Sequence, residues 1–179
     1  MTILLTSFSE AESEICTIRN TVFGEEQNVP PEVDWDGKDE KCLHALVLGE
    51  KGEVVATGRL APEGKIGRLA VLRTHRRRGA GTGMLRALVE AARGQGLRQV
   101  FLHAQTQALR FYEQEGFRVR GESFHEAEIE HYYMYRHLGD NGESGPRRAR
   151  PQVQGAPEPV RESPARMPGS GIRSEEEGN

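Results

Sequence analysis

The chain has 179 residues, a formal charge of −3 at neutral pH and 36% hydrophobic residues. Length sets the expectation of one domain, and the mild acidity excludes the strongly basic balance of a general nucleic-acid binder. No apolar run reaches the roughly 18 residues of a membrane span. The opening Met1–Thr6 lacks the basic flank of a signal peptide, and Cys16 and Cys42 stand without CxxC or metal-ligand spacing. The expectation is a reduced, cytoplasmic protein with no membrane, nucleic-acid or metal partner.

The spacing of Ser9 and Glu12 predicts a capping box, and Ala11, Ile15, Ile18 and Val22 recur at helical intervals, so a first helix is expected to about Phe23. Residues 24–41 contain Pro30, Pro31, Asp34, Trp35, Asp36 and Gly37 and predict an ordered loop. Three strands follow, Leu43 to Leu48, Glu53 to Leu60 and Lys65 to Leu72, joined by glycine-containing hairpin turns. A helix is expected over Gly83 to Arg93, with Met84, Leu85, Leu88, Val89 and Ala92 on its apolar face. A strand at Gln99 to Ala104, a short helix at Gln107 to Gln114, and strands at Phe117 to Arg120 and Ile129 to Arg136 complete the pattern. Hairpins first and a β-helix-β crossover second predict an α/β layered fold with a mixed sheet. After Tyr135 no aromatic residue remains, and seven Gly and six Pro stand among the 41 residues from Gly139 to Asn179. Such a stretch cannot build a core, so a folded domain over 1–138 and a disordered tail over 139–179 are expected.

The most informative stretch runs from the strand Leu69–Val71 through Arg76, Arg77 and Arg78 to Gly79, Ala80, Gly81 and Thr82 at a helix start. Unpaired amides, a helix dipole and glycines that admit close approach together suit an anion. The same residues also fit a plain hairpin-to-helix connection or, through Arg73 and Arg76 to Arg78, a nucleic-acid patch. A dinucleotide fingerprint fails because position 84 is Met, and no Gly-Lys-Ser or Gly-Lys-Thr completes a Walker loop. The pattern present, Arg76-x-x-Gly79-x-Gly81 after a strand, resembles the pyrophosphate-binding motif of the GNAT superfamily of N-acetyltransferases, which bind acetyl-coenzyme A. Downstream, Ala108, Phe111-Tyr112 and Gly116-Phe117 look like the second signature of that superfamily. Arg19, Phe23, Glu26-Gln27, the acidic 32–36 loop, His44, Ala104-Gln105 and Ile129-x-His131 further resemble its ElaA-like (YjcF-like) subgroup, over residues 10 to 136. One departure stands out: Ala127 to His131 reads Ala-Glu-Ile-Glu-His, where the subgroup usually has Asp-Gly-Ile-Pro-His.

The resemblance implies a mostly antiparallel central sheet with helices on both faces, and acetyl transfer by direct attack of an amine on the thioester. Backbone groups of Leu69, Ala70 and Val71 would pair with the pantetheine arm, and the Arg76 to Thr82 loop would hold the pyrophosphate. Gln105 is a secondary coenzyme contact. Tyr112 is expected to protonate the departing thiolate as general acid, a role that a phenol with an ordinary pKa of about 10 suits. Its plain alternative is packing with Phe111 and Phe117. Glu26, Glu126 and His131 are candidates for the base, while His103 reads as a satisfied core histidine. The acidic 32–40 run is a solvated loop or an attraction for a cationic amine. The implied acceptor is a small-molecule primary amine, with a protein N-terminus or lysine, or a coenzyme A-binding domain without turnover, as alternatives. A homodimer is compatible with the resemblance.

Overall fold

The computed structural model describes residues 1–126 and 128–139, so the expected tail lies, after Gly139, outside the described residues. Four strands form one antiparallel sheet in the order β1 (Thr2–Thr6), β2 (Leu43–Leu48), β3 (Val54–Leu60) and β4 (Ile66–Val71). The second antiparallel sheet centres on β8 (Ile129–His137), flanked by β5 (Gln99–Gln105) and β6 (Arg118–Val119), with β7 (Phe124–Glu126) also paired to β8. Among the described residues a single parallel bridge, Lys65 to Phe101, joins the sheets, so the expected mixed sheet is two antiparallel halves meeting at one parallel point. Among the described residues no helix is long and apolar enough to cross a membrane.

Strand alternation sorts the core onto two faces. Ala45 and Val47 of β2 face α3 (Ala80–Gly94), whose Met84, Leu85, Leu88, Val89 and Ala92 also cover Val100, Leu102 and Ala104 of β5 and Met134 of β8. Leu46 points the other way onto Ile15 of α1 (Glu12–Arg19). Ala70 likewise meets Ile18 and Val22. Each such Leu or Ile buried in full stabilises the fold by roughly 1.5–3 kcal/mol. A cleft that opens between β4 and β5 therefore has an α3 face and an α1 face.

Several expectations need correction. The capping box does not form at Ser9: Glu10 reaches back instead, accepting hydrogen bonds from the Ser7 amide at 3.2 Å and the Ser7 hydroxyl at 2.8 Å. The first α-helix stops at Arg19 and continues as a π-helical turn over Asn20–Glu26, so its apolar stripe outlasts the α-helical spacing. Within the expected loop a single turn, α2 (Pro31–Asp34), starts at a proline, whose missing amide costs nothing at a helix start. Strand β1 was not predicted, because Leu4 and Leu5 are both exposed and the segment lacks alternation. The glycines proved compatible with helix, so α3 begins at Ala80 and not at Gly83. The expected 117–120 strand shrinks to Arg118–Val119, and α4 (Leu109–Gln114) follows a 3-10 turn at Thr106–Ala108.

Candidate active site

Among the described residues, and beyond the Lys65–Phe101 bridge, β4 pairs only with β3 and β5 only with β8, which leaves their facing edges open. A bulge bends β4 at this point. Thr57 pairs with Ala70 and Arg59 with Gly67, so Gly58 alone faces both Arg68 and Leu69. Arg68 pays for the bend with a left-handed φ of 54°. Its guanidinium secures that conformation by donating to the Asp34 carbonyl at 3.0 Å and the Val33 carbonyl at 2.9 Å, which ties the bulge to α2.

The α3 end of the cleft is made of backbone. Arg77 at φ 61° and Gly79 at φ 84° turn the chain sharply into the helix, and Gly79 caps it without a side chain. The first amides of the helix, through Thr82, therefore point outward without an intrahelical acceptor, a geometry that suits a phosphate. A Cβ placed on Gly81 would meet only Phe111 and Val71, each at 3.8 Å, so protein packing does not demand glycine there. Ala80 is buried, whereas Arg76, Arg77 and Arg78 are exposed. Arg76 donates to the Val71 carbonyl at 2.9 Å and to the Glu26 carboxylate at 2.6 Å, so this arginine braces the end of β4 against the π-helical turn.

The α1 end is made of side chains. A cavity of about 250 Å³ is bounded by Phe23, Val33, Gly67, His103, Tyr112 and Glu126, with Leu69, Gln105 and His131 also on its wall. Tyr112 packs edge-on to Phe111 at 5.0 Å and to Phe117 at 6.0 Å, so the expected aromatic packing is present along with cavity access. Burial pushes its phenol up to about 12. It therefore stays protonated through the whole neutral range. Gln105 accepts a hydrogen bond from the Gln107 amide group at the end of β5.

Under this cavity lies a charge cluster that the sequence pattern left undivided. Arg19, with no exposed surface, donates to Asp34 and, at 2.8 Å, to Asp39, while its guanidinium lies 3.8 Å over the Trp35 ring. Arg59 bridges Asp39 at 2.8 Å and Asp36 at 2.5 Å. Although desolvation opposes its charge, the hydrogen bond and charge of Arg59 hold the Asp36 carboxyl well below the usual carboxylate range. Three acidic residues of the 32–40 run are thus spent on Arg19, Arg59 and Arg68, not on a solvated patch. These ion pairs join the 34–39 segment to α1, β3 and β4.

Sequence reasoning placed His103 in the core; the structure puts it on the cavity wall instead, opposite in direction to Val100, Leu102 and Ala104. Its Nδ1 is 2.7 Å from Glu126 Oε1 and 3.4 Å from Lys65 Nζ. Burial pulls the Lys65 ammonium down from its ordinary value, against the opposing charge of Glu126. His131, 8% exposed, donates from Nδ1 to the Ile129 carbonyl at 2.7 Å. At the subgroup's usual glycine, Glu128 takes a left-handed φ of 61°, so the β7–β8 turn keeps a glycine-like backbone there. Alternation along β5 was the signal that could have moved His103 out of the core, since Phe101, His103 and Gln105 share one face.

Residues 10–117 match the family model of the acetyltransferase (GNAT) family. Over 122 residues the chain is 40% identical to YjcF of Bacillus subtilis (strain 168), described as an uncharacterized N-acetyltransferase, covering 65% of this chain and 86% of that one. Escherichia coli ElaA superposes with a TM-score of 0.68 at 27% identity, over 76% of this chain and 99% of the other. An acyl-CoA N-acyltransferase from Pseudomonas aeruginosa gives 0.67 at 26% identity, over 75% and 98%.

Proposed function

The chain belongs to the GNAT family of acetyltransferases and is an N-acetyltransferase, and from that premise we propose that it moves the acetyl group of acetyl-coenzyme A to the primary amine of a small molecule. The observation that carries this reading is the pairing of an uncapped helix start beside Gly81 with a compact cavity that holds Tyr112. The Pseudomonas relative, an acyl-CoA N-acyltransferase by name, supports the coenzyme. Amides from Arg77 to Thr82 would hold its pyrophosphate, backbone groups of Leu69 to Val71 its pantetheine arm, and Gln105 a further contact. When bound, the coenzyme supplies an activated acetyl thioester.

This chain's own residues do the rest. The open edge of β4 offers a backbone amide to the oxygen that gains negative charge during attack, and such preorganised donors need no rearrangement. Tyr112, held protonated by its burial, supplies a proton to the departing sulfur. Val33, Glu126 and Ile129 border the cavity, and about 250 Å³ suits a compact amine better than a lysine on a folded surface. Free Cys16 and Cys42 accord with the cytoplasmic location included in this reading. A homodimer is included too, and light scattering of the purified chain decides it.

The test is thiol release from acetyl-coenzyme A across a panel of small amines and lysine peptides. Saturable, amine-dependent release with small amines is expected. Release with lysine peptides alone would move the acceptor to proteins, and coenzyme binding without any release would leave a binding domain.

A further inference from the structure

Of the three groups expected to serve as base, one is engaged outside the cavity and one lines it from a strand farther away. Glu26 is braced against Arg76, and His131 lies on β8, one strand farther from β4 than β5 is. The third, Glu126, meets His103. An ionised carboxylate only accepts, so the 2.7 Å contact calls for a proton on His103 Nδ1, which in the neutral ring leaves Nε2 as the bare nitrogen. No described residue hydrogen-bonds to that Nε2. Phe124, edge-on at 4.9 Å, and Tyr133 at 6.2 Å hold the ring plane. Counting two residues along each parallel strand from the Lys65–Phe101 bridge sets His103 level with Gly67, where the strands part, and Gln105 level with Leu69. His103 thus stands at the floor of the opening, on the α1 face, in the cavity that Tyr112 also lines.

The geometry points to His103 as the catalytic residue that takes the proton of the acceptor amine, with Glu126 as its positioning residue, given the transferase reading above. Starting from the neutral amine, the nitrogen bonds to the acetyl carbon and sheds one proton to His103 Nε2. The carbon–sulfur bond breaks, and the sulfur takes the Tyr112 hydroxyl proton. Solvent then returns the imidazolium proton to the phenolate, so no further reactant is consumed. The charged and titratable groups facing the ring are Glu126 from β7, Lys65 from the turn before β4 and Tyr133 from β8. Arg68 and His131 line the same cavity. The Lys65 ammonium finds no lone pair on a protonated Nδ1, and its charge offsets that of Glu126.

The full chain is tested as wild type, His103→Gln and Glu126→Gln. His103→Gln should lower kcat about 100-fold while coenzyme affinity stays within about threefold, and added imidazole should restore part of the loss. Glu126→Gln should cost about tenfold, the range of a residue acting through another. Independently of activity, nitrogen NMR of the wild type should show His103 protonated on Nδ1, and Glu126→Gln should mix the tautomers. Turnover of His103→Gln within twofold of an active wild type would overturn the assignment, as would a larger loss in Glu126→Gln or a wild-type proton on Nε2. Should the glutamine variant not fold, the wild-type tautomer decides alone. A wild type without amine-dependent thiol release would instead remove the transferase reading, and the base with it.

Discussion

On the α3 side of the cleft the groups presented are main-chain amides set by Gly79, Gly81 and the helix start, whereas on the α1 side they are side chains gathered from distant stretches. A backbone site is encoded in consecutive residues, so a turn and a helix end suffice to build it. A side-chain site exists only after the sheets meet and the 24–41 loop is locked down. The two sides should therefore fail differently when mutated, one losing ligand and the other losing turnover or the fold itself.

The largest effect is expected beneath the acceptor cavity. Arg19→Ala strips Asp34 and Asp39 of a buried partner and should destabilise the chain by about 3–5 kcal/mol in urea denaturation. A loss below about 1 kcal/mol, the worth of a surface pair, would show that the cluster does not lock the loop. Next, Gly81→Glu should weaken coenzyme binding by at least about 100-fold in calorimetry, because like charges at a contact cost several kcal/mol. Stability should change little, given the space around Gly81. Tyr112→Phe should do the reverse, lowering kcat by about 100-fold with coenzyme affinity unchanged. Unchanged turnover would leave Tyr112 as packing only.

Smaller effects sharpen the contrast through pH. Asp36 has a depressed pKa, so its contribution to stability is full above the unfolded value of about 3.9 and is lost as pH falls through the folded one. Asp36→Asn should flatten that acid limb in thermal melts. Tyr112 has a raised pKa, so its contribution is full below about 10 and is lost as pH rises toward about 12. Tyr112→Phe should remove this alkaline loss. Smallest of all, Glu128→Gly should raise stability by about 1 kcal/mol by relieving the left-handed backbone.

The same contrast explains what could be read from the chain. Arg76 to Gly81 and Phe111-Tyr112 are local signals, and helix α3 and strands β2 to β5 follow from periodicity. Arg19 stands out in the sequence by resemblance, but its ion pairs do not, because its partners Asp34 and Asp39 lie 15 and 20 positions away. His103 was misplaced because polarity on a strand does not say which face covers it. Its partner Glu126 arrives on β7, a three-residue strand too short to be seen as a pattern. Strand β1 escaped because pairing with β2 and one inward side chain, Ile3, hold it, too little for a pattern.

In the proposed reaction an acetyl group passes from a ligand held by backbone to an amine held by side chains. Incubation with acetyl-coenzyme A labelled in its acetyl carbons, followed by mass spectrometry of the amine products, tests it most directly. The label is expected in an amide of a small amine, lost in His103→Gln and Tyr112→Phe alike. Label found only in free acetate or left on the coenzyme would contradict it.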